Sequence, residues 1–366
     1  MKNRRGLATL VTLLAALSFW EVAWRPPNWV DIPAVTQVHF FGRWFPERVS
    51  GGTAALTINQ GSGVQFEVTG ASAVWAEFVR SPASTLSPTL VLLQEEKPER
   101  RLSVPMQGNS RLLLASNLPT ERITRFRLIV DGIHEHDPLW QKKAGLALRS
   151  LSTPETTARF TPWQSPCPPV LWIGTSIFAG ILARGKQGGS TSVNSAASLA
   201  YPTLATQALG AEPYIAAFGA VGVTRGGSGG VPAAPEYMQA WAQERPARLP
   251  AFQAVVIGEG VNDVAADSAQ YREALERLIR RLHRAQPRAP VFLEAALNGA
   301  HAADTQWVAQ HTGSTFVDTS TWRIRTTDGL HPNLVGHREA AARWLEVLKR
   351  AGLPRWPASQ GGCPSP

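Results

Sequence analysis

The hydrophobic pattern changes once along this chain, near residue 170, and that change restricts the fold more than any single residue does. Between residues 35 and 151 the apolar residues come in short runs (ALTI, VQFEV, AVWAEFV, TLVLL, RLLLA, RFRLIV) separated by Gly, Ser, Pro and Asn. Nothing there has the spacing of a long amphipathic helix. Short β-prone runs divided by turn residues predict antiparallel strands, and the span suits an all-β, jelly-roll-like sandwich. Beyond residue 170 the period alternates. VLWIG, the stretch 214–218, AVVIG, VFLEA and TFVD read as strands, and helical potential fills 197–209, 271–285 and 338–350. In 271–285, Leu275, Leu278, Ile279 and Leu282 share one face, with Arg272, Glu276 and Arg280 largely outside. In 338–350, Ala342, Leu345 and Leu348 are expected to face inward. Strands alternating with helices predict a three-layer α/β domain with a mostly parallel sheet covered on both faces. The chain therefore reads as a multidomain protein: a β-sandwich over 35–151, a Thr- and Pro-rich linker over 152–168, an α/β domain over 169–352, and a Pro/Gly-rich tail over 353–366.

The first residues carry a basic start (Lys2, Arg4, Arg5) and an apolar run from Leu7 to Trp20. Residues 1–23 read as an export signal cut after Ala23, or as an uncleaved N-terminal anchor. No later run is apolar enough to span a bilayer, so the expected location is periplasmic or secreted, including the cell surface. Cys167 and Cys363 are the two cysteines. In an oxidising compartment they are a candidate disulfide stapling the tail; two unpaired thiols are the alternative. Net charge is +9, and removal of residues 1–23 takes away three basic groups and Glu21 and leaves +7. The arginines are scattered, with no aromatic-interleaved basic stripe, which argues against nucleic acid and suits an anionic surface or acidic polysaccharide.

The chemistry concentrates in DGLHPNLVGH, residues 328–337. Asp328 and His331 stand three residues apart, close enough for a carboxylate to orient an imidazole. A serine hydroxyl is a poor nucleophile until such a base removes its proton. The chain offers Ser176, just past the VLWIG strand, where a helix is expected to begin near Phe178. Ligands of parallel sheets bind beyond the carboxyl ends of the strands, and the loops after VLWIG, AVVIG and TFVD all emerge there. No G-x-S-x-G surrounds a serine, so the α/β-hydrolase elbow is not the pattern. GVTRGGSGG (222–230) lacks the terminal G-K-[ST] of a phosphate loop, and HEHD (134–137) supplies no closed ligand set, which makes it a surface turn and leaves no metal or cofactor implied. Arg225, Glu259, Trp172 and Trp322 are candidate substrate contacts, the tryptophans being equally suited to the core.

Four blocks in order, WIGTS (172–176), AFGAVGVT (217–224), GVND (260–263) and DGLHP (328–332), resemble the SGNH/GDSL hydrolase superfamily over most of 168–350. The resemblance implies a Ser176–His331–Asp328 triad and an oxyanion hole built from the N–H groups of Ser176 and Gly222 and the side chain of Asn262. It implies that His337 packs or caps the closing helix. Thr175 departs from the pattern, where the family usually has Asp. A sandwich ahead of this domain further resembles acetylxylan-esterase-like carbohydrate esterases. That implies a cofactor-free serine esterase removing O-acetyl or other short acyl groups from an acylated carbohydrate. A lipase or thioesterase of the same fold, and a catalytically inert carbohydrate-binding protein, are the alternatives.

Overall fold

The computed structural model describes residues 30–33, 38–49, 52–95, 97–105, 109–163, 168–189 and 191–353. Residues 1–23, for which an export signal or anchor is expected, both cysteines and residues 354–366 of the tail lie outside the described residues. The N-terminal domain is built from β1 (Val30–Pro33), β2 (His39–Phe41), β3 (Phe45–Val49), β4 (Gly52–Thr57), β5 (Gly63–Thr69), β6 (Ala73–Arg80), β7 (Thr89–Gln94), β8 (Arg100–Ser103), β9 (Asn109–Ser116), β10 (Thr124–Gly132), β11 (Leu146–Thr153) and β12 (Arg159–Pro162), with one short helix, α1 (Leu139–Lys142). One sheet runs β3-β4-β11-β6-β9, with β1 on β11; the other runs β12-β5-β10-β7-β8, with β2 on β5. All these pairings are antiparallel, as the short alternating runs predict. Phe66 and Phe126 sit directly opposite each other on β5 and β10 and stack at 5.2 Å, forming the kind of cross-strand pair that holds a sheet together.

The expected linker is shorter than the composition suggests. β12 pairs with β5 from Arg159↔Thr69 to Pro162↔Phe66, and Phe160 is buried in the sandwich core. A strand with a single inward side chain leaves no alternation to read, so its polar flanks pass for linker.

The second domain holds β13 (Pro169–Gly174), α2 (Tyr201–Ala208), β14 (Glu212–Ala217), α3 (Ala234–Tyr237), a small ribbon of β15 (Ala240–Ala242) and β16 (Arg245–Pro246), β17 (Ala254–Gly258), α4 (Ser268–Ala285), β18 (Val291–Glu294), α5 (Ala302–Thr312), β19 (Thr315–Val317) and α6 (Leu334–Arg350). The main sheet is parallel in the order β14-β13-β17-β18-β19. β13 is the first strand of this sheet in the chain, and its flanks are filled from opposite directions, which opens a crevice above the β13/β17 boundary. Leu171 and Ile173 pack on one face with Tyr271, Leu275, Leu278 and Ile279 of α4, in a core continuous with that of the sandwich. Val170 and Trp172 pack on the other face with Tyr201, Trp344 and Leu348 of α2 and α6. α4 starts on a capping box in which Asp267 accepts from Gln270 N–H, and α6 starts on Asn333, which accepts from the N–H groups of Val335 and Gly336.

Three local expectations need correction. α5 has no apolar stripe, so periodicity passes over it. α6 begins at Leu334 and buries Ala340, Ala341, Trp344 and Leu348 while Ala342 is exposed, because Trp344 takes the inward position. The segment after Ser176 is a run of turns rather than a helix: Gly180 and Leu182 adopt positive φ (67° and 60°), and the Ala196 N–H bonds the Gly180 carbonyl. Ser176 therefore gains nothing from a helix dipole.

Candidate active site

Ser176 stands two residues past Gly174, which pairs with Ala217 of β14 and Gly258 of β17. The ring of Phe178 lies across Gly174 and Gly258, where a Cβ on either glycine would overlap it. This packing folds the turn back over the strand ends and presents Ser176 at the sheet edge. Thr175, in place of the family's Asp, accepts from Ile177 N–H at 3.3 Å and so fastens the turn. On the other wall, Thr327 donates to the Leu182 carbonyl at 2.8 Å and ties the 326–332 loop to the loop after Ser176. Thr326 and Pro332 bridge the base of that loop.

These anchors bring three side chains into line. The Ser176 hydroxyl lies 2.9 Å from His331 Nε2, and His331 Nδ1 lies 2.8 Å from Asp328 Oδ2. Asp328 Oδ1 accepts from the N–H groups of Leu330 (3.1 Å) and His331 (2.8 Å). A carboxylate held this way accepts a hydrogen bond from Nδ1–H, which keeps the imidazole proton on Nδ1 and leaves Nε2 free to take one from Ser176. Partial burial alone would raise the Asp328 pKa, but the hydrogen bonds from His331 and Leu330 outweigh it and hold the carboxyl below its ordinary value. Ser176 is 7% exposed, so the line ends just beneath the surface.

The oxyanion donors are arranged less simply. Among the described residues no carbonyl takes the Ser176 N–H. The Gly222 N–H, expected to be free, donates to the Arg225 carbonyl at 3.0 Å and closes a turn. A Cβ at Gly222 would overlap the Asp263 carboxylate, so this glycine is needed for close approach. Asn262 spends one amide proton on the Val221 carbonyl at 2.8 Å and retains a second. Asp263 is the functional residue that the motifs obscured. Its carboxylate accepts from Val223 N–H, Thr224 N–H and the Thr224 hydroxyl and fixes the whole 222–224 loop. Its position inside GVND, directly after Asn262, is the signal that could have found it.

The remaining candidates divide by burial. Arg225 is exposed and, with Thr224, Asn262, Gln270, Glu273 and Arg277, lines a cavity of about 420 Å³ beside the 222–224 loop.

 Two arginines and two carboxylates line this cavity: Glu273 pairs with Arg277 at 3.5 Å, and Asp263 is engaged by the 223–224 amides. Trp172 is fully buried, donates to the Thr206 hydroxyl at 2.8 Å and packs edge-on against Phe178, Tyr201 and Trp344, so it is a core residue and not a substrate contact. Glu259 is 1% exposed and likewise cannot touch substrate. Trp322 is half-buried against Trp344, with Arg343 over its ring. His337 is fully buried, and its Nδ1 accepts from Tyr201 N–H. Burial pushes its pKa down to about 3 and keeps it neutral. The HEHD turn is a domain junction rather than a surface turn: Glu135 and Asp137 are buried, and Glu135 lies against Gly219. Among the described residues no His, Cys, Asp and Glu cluster is placed to hold a metal ion.

A β-sandwich joined to a parallel α/β domain is an architecture that this chain shares with solved carbohydrate esterases. No protein-family model matches the chain, and no curated protein matches it in sequence. Solved structures do. A family two carbohydrate esterase from Cellvibrio japonicus superposes with a TM-score of 0.71 at 19% identity, covering 88% of this chain and 97% of that one. An acetyl xylan esterase from the rumen bacterium Butyrivibrio proteoclasticus gives 0.70 at 16% identity, covering 89% and 98%. A salicylyl-acyltransferase from a tetracycline biosynthetic pathway gives 0.65 at 13% identity, covering 91% and 100%. At these identities the likeness establishes the shared two-domain fold.

Proposed function

We propose that this protein is a serine esterase that removes short acyl groups, acetyl foremost, from carbohydrate. The observation that carries the reading is the continuous line Ser176 Oγ–His331 Nε2 and His331 Nδ1–Asp328 Oδ2, at 2.9 and 2.8 Å. In the first half-reaction Ser176 Oγ attacks the ester carbonyl carbon as its proton passes to His331 Nε2. The carbonyl oxygen becomes an oxyanion, for which the Ser176 N–H and the second amide proton of Asn262 are the available donors. Collapse breaks the bond to the sugar oxygen, which leaves as an alcohol with the proton from His331. In the second half-reaction water gives a proton to His331 Nε2 and attacks the acyl carbon; collapse breaks the acyl–Ser176 Oγ bond, releases the acid, and returns the proton from His331 to Ser176 Oγ. Asp328 keeps its charge throughout and stabilises the imidazolium.

The basic and apolar start of the chain supports export to where carbohydrate polymers lie, a point that fractionation of cells expressing the full chain would test. The esterase test is acetate release from acetylated xylan or manno-oligosaccharides, with S176A as control. The proposal expects release that S176A abolishes. Unchanged release by S176A overturns the mechanism, while rapid cleavage of long acyl esters or thioesters with no acetate release makes the protein a lipase or thioesterase instead.

A further inference from the structure

Glu259 follows β17 directly and lies three residues before Asn262. It is 1% exposed, and its Oε2 has no hydrogen-bond partner among the described residues. Its Oε1 lies 3.3 Å from the Tyr237 hydroxyl, which is itself 3.0 Å from the Ala216 carbonyl. Ala216 pairs with Ile173 of β13, so this contact sits at the strand ends beneath Ser176 and the 219–224 loop. The Tyr237 hydroxyl has one proton, and the shorter contact directs it to Ala216. The remaining contact is then satisfied only if Glu259 carries a proton and donates it to Tyr237 Oη. A buried carboxylate with one oxygen unsolvated would carry a large desolvation cost, whereas the neutral acid does not.

The charged and titratable groups around Glu259 agree with this. Asp263, on the same loop, is negative and already engaged by the 223–224 amides. Tyr237 comes from α3, and Tyr271 from α4 donates to the Glu259 carbonyl at 3.4 Å. On the sandwich side Arg43 lies over the Tyr237 ring at 5.9 Å and donates to the Tyr237 and Ala240 carbonyls. Burial, with the Asp263 charge second, raises the Glu259 pKa well above the ordinary value.

We propose that Glu259, held as the neutral acid, is a positioning residue: its hydrogen bond to Tyr237 sets the floor beneath the Ser176 and Asn262 loops, and its ionisation would place a second negative charge beside Asp263 and loosen the 222–224 loop. This rests on the esterase reading above. Two variants separate a proton requirement from simple filling of space. E259Q keeps a neutral donor, and E259M keeps the volume without one. With a small activated acetate ester as substrate, E259Q is expected to keep kcat within about threefold of wild type and to move the alkaline limb of the pH–kcat profile upward or remove it. E259M is expected to lower kcat at least tenfold with KM little changed. The idea is overturned if Met serves as well as the native Glu, if Gln is as damaging as Met in a folded protein, or if the alkaline limb is the same in wild type and E259Q. Absence of activity in the wild type, by contrast, strikes the esterase reading itself, and thermal melts of E259Q and E259M between neutral and alkaline pH then decide the matter: wild type should lose stability with rising pH relative to E259Q, and parallel melts overturn the neutral-acid assignment.

Discussion

Replacing Asp328 by Asn changes almost no volume and should nevertheless remove most of the activity. The wild-type carboxylate accepts on both oxygens: Oδ2 from His331 Nδ1 at 2.8 Å, and Oδ1 from the Leu330 and His331 N–H groups at 3.1 and 2.8 Å. An asparagine can keep only one of these sets. If its oxygen stays with the two backbone donors, its NH2 faces Nδ1, forces the imidazole proton onto Nε2, and turns the base toward Ser176 as a donor. If the amide flips to restore the tautomer, NH2 meets two backbone N–H groups. Two lost hydrogen bonds of about 1–1.5 kcal/mol each put that state roughly 2–3 kcal/mol higher, and the charge that stabilises the imidazolium is gone in either case. The expected fall in kcat is therefore between about a hundredfold and ten-thousandfold. D328A gives the comparison that matters. The Asp328 side chain is 26% exposed, so water can replace it as acceptor at Nδ1 and leave the correct tautomer accessible. D328N should thus be no more active than D328A, although it resembles Asp more closely. Initial rates of acetate release at neutral pH, with thermal melts to confirm folding, measure this. An Asn variant within tenfold of wild type would refute the tautomer argument.

Two further outcomes follow from the geometry. Glu294 is fully buried, and burial raises its pKa from 4.5 to about 8 against hydrogen bonds from Tyr201, Trp344 and Thr319. The unfolded chain gives up this proton first, so stability should fall as pH rises from 4.5 toward 8, by up to about 1.4 kcal/mol per pH unit, and level off on either side. E294Q should flatten that slope in melts taken across the same range, and parallel curves would refute it. G222A would press a methyl group into the Asp263 carboxylate and shift the 222–224 loop, costing at least tenfold in kcat/KM; full activity in this variant would show that the loop position is not needed.

The two-domain division and the alternation of strands and helices were legible because both rest on repeated side-chain patterns. The Ser176, Asp328 and His331 positions were legible for a different reason: each stands where a strand or short loop ends, and the required residue types are scarce in such an order. Burial was what the sequence could not supply. Trp172 and Glu259 lie close in sequence to the proposed site, yet both are packed in the interior: Trp172 lies within β13 on the face covered by α2 and α6, and Glu259 lies past the end of β17 against Tyr237. Gly222 shows a second limit. Its need for close approach was readable, but the turn that engages its N–H depends on the Arg225 carbonyl, and backbone hydrogen bonding leaves no trace in residue type. β12 and α5 were missed because neither carries a repeated apolar spacing.

The 326–332 loop also has a bearing on how the protein is made. Acid and base occupy one short segment near the C-terminal end of the described chain, while β12 completes the sandwich before β13 begins. During vectorial synthesis the sandwich can close first and offer its apolar and arginine-bearing edge to the strands that emerge after it. The partners of Ser176 arrive last. A nascent or truncated chain therefore holds a finished sandwich and a Ser176 without its partners, and the Ser176–His331–Asp328 line can form only when almost all of the polypeptide has folded.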